Sequence, residues 1–397
     1  MNSFLYRIAF SISLLWLSLS GLCGCGFMGI ELIKDYPGKS DEIHYCKTKD
    51  GWRLALSHYC KGKACSPNIK KAPIILCHGL GYNHHFWDLD DSVNFARTLA
   101  QKDYDVWLLS LRGAGLSTKP GISVLKNLTD MRKGELKSAS FAPSKLNWNI
   151  DDYIQYDIPA ALDYVTSYTK KPRVIWIGHS LGGMIMYGYL GLKPDPKVQA
   201  LVTLGSPLII PQPPNNILQA FAKNNLLFKT LLIVNTRSGA TGIAPFYEYL
   251  ITPDKVLFYN QRNMDSETIG KVLEFVVEDL PIGVVNQIID MVRTGTFRSI
   301  DGTINYTELA SNITIPALVC CGKADNLAPP ESVRFAYHTI GSEDKTFKMF
   351  GTANGHKNDY GHNDLILGKF AKKEVYPEIL RWVKGHCALN EKNISLE

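Results

Sequence analysis

One serine of this chain lies in a sequence context that favours nucleophilic chemistry. Gly178-His179-Ser180-Leu181-Gly182 follows a short apolar, β-branched run and precedes a segment with helical apolar spacing. A G-x-S-x-G pentapeptide between a strand and a helix predicts a sharp turn that presents the serine hydroxyl. Small residues are needed there because bulky neighbours would collide with the strand and helix that meet at the turn. The pattern predicts Ser180 as a nucleophile, and an ordinary strand-to-helix turn is the alternative interpretation.

A serine hydroxyl needs a base to accept its proton and a carboxylate to orient that base. In enzymes that carry such a turn at the end of a parallel strand, the three residues follow one another along the chain in the order serine, acid, histidine. Asp325 follows the apolar run 317–321 and precedes two prolines, which predicts a position at the carboxyl end of a strand; a helix cap or Asx turn is the alternative. His362 lies in a glycine-rich loop after the last predicted strand and is the predicted base. His356, in the same loop, is the alternative base.

The reaction also needs N–H groups that bind a developing oxyanion. His78-Gly79-Leu80-Gly81 follows another apolar strand, and its glycines allow the backbone to approach an anion closely. We predict that the backbone N–H groups of Leu80 and of Leu181 supply this oxyanion hole.

Several other residues near these motifs are not needed for the chemistry. Histidines 78, 84, 85 and 179 are predicted to make structural hydrogen bonds. Three aromatic residues are predicted either to line the pocket or to belong to the core: Phe86, Trp87 and Trp148.

The elements that must position these residues alternate between strands and helices. Each predicted strand is an almost continuous apolar run, which is typical of a parallel sheet covered on both faces. A hairpin is predicted around the Lys49-Asp50-Gly51 turn. The predicted strands are 43–48, 53–59, 72–77, 105–111, 174–177, 200–204, 317–321 and 346–350, and the predicted helices are 87–101, 151–168 and 375–383. The predicted fold class is therefore α/β, with a mostly parallel sheet and helices on both faces.

A long apolar segment, residues 207–310, interrupts this alternation. It opens with prolines and continues with helical patterns over 218–234, 269–277 and 284–292. An insertion at this point should lie above the carboxyl ends of the strands, where it would exclude water from a site. We interpret it as a helical lid, with a plain packing excursion as the alternative, between two core parts at 43–206 and 311–386.

The composition limits the classes of function. The 397 residues are 45% hydrophobic and 20% charged, which suffices for a large core. The net charge of +6 is spread along the chain. The sequence contains no recognisable zinc-type Cys/His spacing, P-loop or nucleic-acid-binding motif. We therefore predict no metal, no cofactor and no nucleic-acid partner.

The first 25 residues are predicted to be an export leader. Arg7 precedes an apolar run over 8–19, and residues 22–25 read Leu-Cys-Gly-Cys. This end resembles a bacterial lipobox in which Cys25 is lipidated, whereas Cys23 fits less well because a leucine precedes it. A cleaved signal peptide without lipid and an uncleaved anchor are the alternatives. Each interpretation predicts an exported or membrane-attached protein.

The remaining cysteines are predicted to differ in role. Cys60 and Cys65 flank a short loop and could form a disulfide, with Cys46 as a competing partner for Cys60. Three others lie in apolar runs and are predicted to be core residues: Cys77, Cys320 and Cys321.

Taken together, the four motifs resemble the α/β-hydrolase superfamily, and more narrowly its lipase and esterase branch, including acid-lipase-like proteins. The resemblance covers about residues 43–386. In that branch an aspartate follows the catalytic histidine by two residues, as Asp364 follows His362 here. The resemblance implies ester hydrolysis through an acyl-serine, without a cofactor. One departure is Leu111-Arg112, where many relatives carry Asp-Arg.

These observations predict an exported ester hydrolase that acts on a small-molecule or lipid ester, with membrane association through the leader or its lipid. Serine at the turn favours acyl-ester chemistry over the aspartate- and cysteine-dependent branches of the superfamily. Two alternatives remain open at this stage. An acyltransferase would form the same acyl-serine and pass the acyl group to an alcohol or thiol. A non-catalytic surface lipoprotein would keep the fold for binding alone.

Overall fold

The computed structural model describes residues 39–60, 71–119, 147–210, 233–234 and 258–389. The predicted leader with Cys25, and much of the predicted lid, lie outside these residues. Among the residues described, no helix is both long and apolar enough to cross a membrane.

The molecule is built on one eight-stranded sheet. Its strands are β1 Glu42–Lys47, β2 Arg53–Tyr59, β3 Ile74–Cys77, β4 Val106–Ser110, β5 Val174–His179, β6 Val198–Leu204, β9 Ala317–Gly322 and β10 Lys345–Phe350. They lie in the order β1-β2-β4-β3-β5-β6-β9-β10. β1 and β2 form the predicted hairpin, β2 pairs antiparallel with β4, and the pairs from β4 to β10 are parallel. A small separate sheet pairs β7 Ile233–Val234 with β8 Leu280–Pro281. The predicted mostly parallel α/β fold is thus confirmed.

Helices cover both faces of this sheet. The helices are α1 Phe95–Ala100, α2 Ile150–Asp152, α3 Ile158–Thr169, α4 Leu181–Leu192, α5 Ser266–Lys271, α6 Ile282–Thr294, α7 Tyr306–Leu309, α8 Pro330–Thr339, α9 Asp364–Leu367, α10 Ala371–Glu374 and α11 Tyr376–His386. The core forms two apolar clusters, and successive residues of β3 belong to opposite ones, Ile75 to the first and Leu76 to the second. This alternation follows from the two-residue period of a strand, and it explains why the central strands are apolar throughout.

The helix predicted over 87–101 is much shorter in the structure and begins only after Asn94. The preceding residues turn instead, because Asp90 Oδ1 accepts the N–H groups of Ser92 and Val93. Asn94 then caps α1 by accepting the N–H of Arg97. Side-chain oxygens that bond to nearby backbone compete with helix formation, and here they delay it.

The helix predicted over 151–168 is confirmed but not regular. A π-helical turn, Tyr153–Asp157, separates α2 from α3. The pattern predicted over 269–277 is α-helical only to Lys271 and then forms another π-helical turn, Val272–Val276. The pattern over 284–292 lies within α6, whereas the one over 218–234 falls almost entirely outside the described residues.

The cysteines agree in part with the sequence prediction. Cys77, Cys320 and Cys321 are buried in strands, as predicted. Cys60 is disulfide-bonded, whereas Cys46 is a free, buried thiol, so the alternative pairing of these two is wrong. Cys65 lies outside the described residues, and its pairing with Cys60 stays a prediction.

Candidate active site

Ser180 lies at the turn between β5 and α4. Its backbone has φ +52° and ψ −120°, a combination that residues other than glycine rarely adopt. The flanking glycines make room for the turn. A Cβ on Gly178 would lie 2.4 Å from the backbone of Gly182, and a Cβ on Gly182 would lie 2.4 Å from the carbonyl oxygen of Cys77. The strained turn, held by a 2.8 Å bond from the Ser180 N–H to the Leu204 carbonyl, leaves the side chain only half-buried.

Asp325 and His362 are in direct contact, with 2.7 Å between Asp325 Oδ2 and His362 Nδ1. The other carboxylate oxygen, Oδ1, accepts the N–H groups of Leu327 and Ala328 at 2.9 and 2.7 Å. An ionised carboxylate only accepts hydrogen bonds, so the neutral ring carries its proton on Nδ1 and keeps a lone pair on Nε2. Nε2 is buried and has no hydrogen-bond partner among the described residues. The arrangement leaves this nitrogen able to accept a proton.

Ser180, Asp325 and His362 lie at one edge of the sheet, at the carboxyl ends of parallel strands. Gly205, which follows β6, shows how closely Asp325 and His362 approach this strand end, because a Cβ there would lie 3.0 Å from His362 Nδ1 and 3.1 Å from Asp325 Oδ2. The preceding residue, Leu204, accepts the backbone N–H of Ser180. The fold therefore brings to one place residues that are far apart along the chain.

His179, the residue before Ser180, holds the main chain of His362. Its Nε2 lies 3.1 Å from the carbonyl oxygen of His362, and the two rings are 4.6 Å apart. Phe86 also stacks on the His179 ring, with 4.3 Å between ring centres. Burial lowers the pKa of His179 well below its usual value, so the ring is neutral and donates from Nε2. This structural role agrees with the sequence prediction for His179, but the partner could not be read from the sequence.

The loop of residues 78–83, which follows β3 and contains the predicted donor residue Leu80, is called the oxyanion loop here and passes beside Ser180. A Cβ on Gly79 would lie 3.1 Å from the Cβ of Ser180, and Leu80 and Leu181 line the same small pocket. Leu181 opens α4, where the first N–H groups have no acceptor within the helix. Trp148 lines this pocket and also belongs to the first core cluster, so both interpretations of that residue hold.

His78 fixes the shape of the oxyanion loop. Its Nδ1 lies 2.9 Å from the carbonyl oxygen of Gly79, and its Nε2 accepts the N–H of Leu111 at 3.2 Å. The two bonds require a neutral ring with its proton on Nδ1. Burial lowers the pKa of His78 to about 4, in agreement with that requirement.

The other candidate histidines have structural partners. His356 Nδ1 lies 3.0 Å from the carbonyl oxygen of Gly351 in its own loop, whereas the contact with Asp325 is made by His362. His84 pairs with the Ser110 hydroxyl at 3.0 Å, and His85 pairs with Asp88 at 2.9 Å. These contacts agree with the structural interpretation of histidines 84 and 85.

Glu278 was not predicted from the sequence, although it organises the loops beside the pocket. Its Oε1 accepts an N–H of Asn83 and the N–H of Gly115, both at 2.9 Å. Lys119 Nζ lies 2.9 Å from Oε2. The carboxylate thus connects the predicted lid to the oxyanion loop and to the loop after β4. No short sequence motif predicts such a contact.

The histidine loop has two further anchors. Asn363 Nδ2 donates to the Tyr82 hydroxyl at 2.7 Å, which joins this loop to the oxyanion loop. Asp364 accepts the N–H of Gly361 and a side-chain N–H of Asn263, each at 2.8 Å. Burial raises the pKa of Asp364 to about 6. Its place two residues after His362 is the only sequence signal for this role.

The arrangement contains a hydroxyl on a strained turn, a buried imidazole oriented by a carboxylate, and backbone N–H groups nearby. These are the groups that acyl transfer through a serine requires.

Known proteins that are similar to this chain include named lipases. Residues 72–367 match the family model described as the alpha/beta hydrolase fold. A probable lipase of Schizosaccharomyces pombe is 24% identical over 385 residues, covering 89% of this chain and 76% of that protein. Triacylglycerol lipase 2 of Arabidopsis thaliana is 24% identical over 386 residues, covering 87% and 85%.

Solved structures show the same fold. A thermophilic esterase from Thermogutta terrifontis superposes with a TM-score of 0.53 at 16% identity, covering 87% of this chain and 99% of that one. A monoacylglycerol lipase from Paleococcus ferrophilus gives a TM-score of 0.53 at 17% identity, covering 84% and 99%.

Proposed function

This chain belongs to the alpha/beta hydrolase fold family, and from that premise we propose that it is a carboxylic ester hydrolase that cleaves lipid or other acyl esters through an acyl-serine. The observation that carries the proposal is the 2.7 Å contact between His362 and Asp325 at the strand ends beside Ser180. The full-length relatives named as lipases support the class of substrate.

In the proposed mechanism, Ser180 Oγ attacks the ester carbonyl while His362 Nε2 accepts its proton. Asp325 holds the imidazole and stabilises the charged ring that results. The same proton then passes to the leaving alcohol, and an acyl-serine remains. Water repeats the sequence in reverse, losing a proton to His362 as it attacks, and releases the carboxylic acid and the free serine.

The negative charge that develops on the carbonyl oxygen needs donors that are already in place. We assign the N–H groups of Leu80 and Leu181 to this role, because both residues line one small pocket and Gly79, which lines it too, lies beside Ser180. Donors that do not have to reorganise during the reaction lower its barrier most, and loss of one typically costs about 100- to 1,000-fold in rate.

The first test is Ser180→Ala with a p-nitrophenyl ester as substrate. We expect kcat to fall by about 10⁴-fold or more, because the remaining groups have no nucleophile to activate. Ser266→Ala removes an exposed serine at the start of α5 and should leave kcat unchanged. A fluorophosphonate probe should label the wild-type protein and Ser266→Ala but not Ser180→Ala. Wild-type turnover by Ser180→Ala would show that the assignment is wrong.

Two measurements would narrow the class of natural substrate, one on the length of the acyl chain and one on the acceptor of the acyl group. Hydrolysis rates with esters of increasing chain length would show whether the pocket favours long acyl groups. Products formed with a lipid alcohol present would separate hydrolysis from acyl transfer, since a transferase would yield a new ester rather than free acid.

We also propose that the leader exports the protein and that Cys25 carries a lipid. The proposal rests on the apolar run and on the Leu-Cys-Gly-Cys end of residues 22–25. When the protein is expressed in a bacterium supplied with a radioactive fatty acid, the wild-type protein should be labelled and Cys25→Ser should not. Equal labelling of both forms, or of neither, would exclude lipidation at this residue.

A further inference from the structure

Three side chains converge at the edge of the sheet opposite to Ser180. His44 Nε2 lies 2.9 Å and His58 Nδ1 lies 3.4 Å from the same oxygen, Glu42 Oε2. The three ligand atoms all lie within 4.8 Å of one another. Two imidazole nitrogens and a carboxylate oxygen repel one another through their lone pairs unless protons or a cation lie between them.

The hairpin explains why these residues meet. Glu42 in β1 and His58 in β2 are direct cross-strand partners, so their side chains lie on the same face of the sheet. His44 follows Glu42 by two residues and therefore lies on that face as well. His58 pairs in turn with Trp107, near the amino end of β4, whereas the turn with Ser180 follows the carboxyl end of β5.

Each histidine is oriented by a partner on its other ring nitrogen. His58 Nε2 lies 2.6 Å from Asp105 Oδ1, and both side chains are buried. His44 Nδ1 lies 2.9 Å from the hydroxyl of Tyr164. Carboxylates and other acceptors in this position fix the tautomer of a metal-binding histidine and leave the facing nitrogen with its lone pair.

Aromatic rings fix the planes of both imidazoles. Trp107 stacks on His58, with 3.9 Å between ring centres and 11° between planes. It also meets His44 edge to face at 5.0 Å, and Tyr168 packs on His44 at 4.7 Å. Rings held in this way do not need to reorganise to bind a ligand, which favours tight binding.

We propose that Glu42, His44 and His58 bind a divalent transition-metal ion, Zn²⁺ above all. Two imidazoles and one carboxylate are ligands that suit Zn²⁺ rather than Mg²⁺ or Ca²⁺. Zinc–ligand bonds of about 2.0–2.1 Å in a tetrahedron place neighbouring ligand atoms about 3.3 Å apart, close to the two contacts found here. Water supplies the fourth ligand. The ion fastens the edge strand β1 to β2 and is independent of the proposed ester hydrolysis.

The test uses the untagged full chain, stripped with EDTA that is then removed. Titration with Co²⁺, which reports its coordination through visible absorption, should show one equivalent bound with a tetrahedral spectrum, and Zn²⁺ should displace it. Glu42→Gln and His44→Gln should each weaken Co²⁺ binding by at least about tenfold, since changes even in outer ligands cost that much. Zn²⁺ should also raise the Tm of the wild-type protein but not that of Glu42→Gln.

The matched control is His386→Gln. His386 Nε2 pairs with Asp344 Oδ2 at 3.1 Å and belongs to no three-residue cluster of possible metal ligands within the part of the chain that the structure describes. This variant should bind Co²⁺ as the wild type does. Circular dichroism of Glu42→Gln, whose side chain is 43% exposed, checks that the fold is kept. Absence of Co²⁺ binding below about 1 mM, or equal binding by the wild type, Glu42→Gln and His44→Gln, would overturn the proposal.

Discussion

His362 is positioned by two contacts, one to its side chain and one to its main chain. Asp325 fixes the proton on Nδ1 through a 2.7 Å contact, and His179 binds the backbone carbonyl at 3.1 Å. The contact with Asp325 leaves Nε2 as the nitrogen that can accept a proton. The contact with His179 fixes the main chain from which the His362 side chain extends. Removal of either should alter the chemistry without a large loss of fold.

Asp325→Asn is expected to lower kcat by about 10³- to 10⁴-fold. The amide can still accept the N–H groups of Leu327 and Ala328, but it no longer holds the imidazole in the required tautomer. The measurement is kcat for a p-nitrophenyl ester, with circular dichroism as a check on folding. Asp163→Asn, which changes an exposed carboxylate paired with Lys197, should keep the wild-type kcat. A comparable loss in both variants would argue against a specific role for Asp325.

The lowered pKa of His78 predicts how the free energy of unfolding depends on pH. Its pKa is lowered from 6.5 to about 4 by burial, so the unfolded chain takes up a proton at a higher pH than the folded protein does. Protonation of the unfolded chain therefore lowers the free energy of unfolding. This loss is absent above pH 6.5, grows as the pH falls and is complete below about pH 4. A shift of this size corresponds to about 3 kcal/mol of lost stability.

His78→Asn should make the free energy of unfolding less dependent on pH, by about 3 kcal/mol between neutral pH and pH 4. Urea unfolding at several pH values measures this difference. His338→Gln changes an exposed histidine and should keep the wild-type pH dependence. Parallel curves for the wild type and His78→Asn would contradict the buried, neutral state of His78.

At the scale of elements, the turn between β5 and α4 depends on close approach of backbones. Gly182 has room for a hydrogen but not for a methyl group, since a Cβ would lie 2.4 Å from the Cys77 carbonyl oxygen and 2.7 Å from that of His78. These two carbonyls belong to the end of β3 and to the oxyanion loop. The spacing of the pentapeptide therefore fixes α4 against the neighbouring strand as well as the shape of the turn.

Gly182→Ala should lower the free energy of unfolding by about 1–3 kcal/mol, because the added methyl group meets backbone that cannot move aside easily. The matched control is Gly270→Ala in α5, where a Cβ would meet nothing within 4 Å. That change should leave stability equal or improve it by up to about 1 kcal/mol, as alanine favours helix. Urea unfolding compares the three proteins, and an unaffected Gly182→Ala would contradict the close packing.

At the scale of the whole molecule, Arg112 joins three distant parts of the chain. The guanidinium contacts Asp157 at 2.7 Å and Asp50 at 2.7 Å, and its side chain is 1% exposed. Asp50 belongs to the turn of the first hairpin, and Asp157 precedes α3. The residue before it, Leu111, is where the sequence departs from the Asp-Arg pair of many relatives, and the arginine is kept.

Arg112→Met should destabilise the protein by about 3–5 kcal/mol, because the buried carboxylate of Asp157 loses its partner. The double variant Arg112→Met/Asp157→Asn should recover part of the loss, since no buried charge then remains unpaired. Denaturant unfolding of the two variants tests this order. If the double variant were less stable than the single one, the ion pair would not be the source of the effect.

The sequence by itself determined the class of fold and the residues with the strongest local signatures. The pentapeptide predicts Ser180 as a nucleophile because a strained turn allows few residue types, and the apolar runs predict the strands because buried parallel strands are apolar throughout. Both properties depend on neighbours along the chain. The preference for His362 over His356 also came from local context, and the structure gives the contact with Asp325 to His362.

Contacts between distant segments were decided only by the tertiary structure. No short motif predicts the contacts of Glu278 beside the oxyanion loop or that of His179 with the carbonyl of His362. The same holds for the cluster of Glu42, His44 and His58. The helix predicted from residue 87 was shortened by side-chain oxygens that bind nearby backbone. Apolar periodicity records which residues are buried, but a hydrogen bond or a ligand set depends on which strands and loops become neighbours in space. That arrangement is a property of the folded chain as a whole.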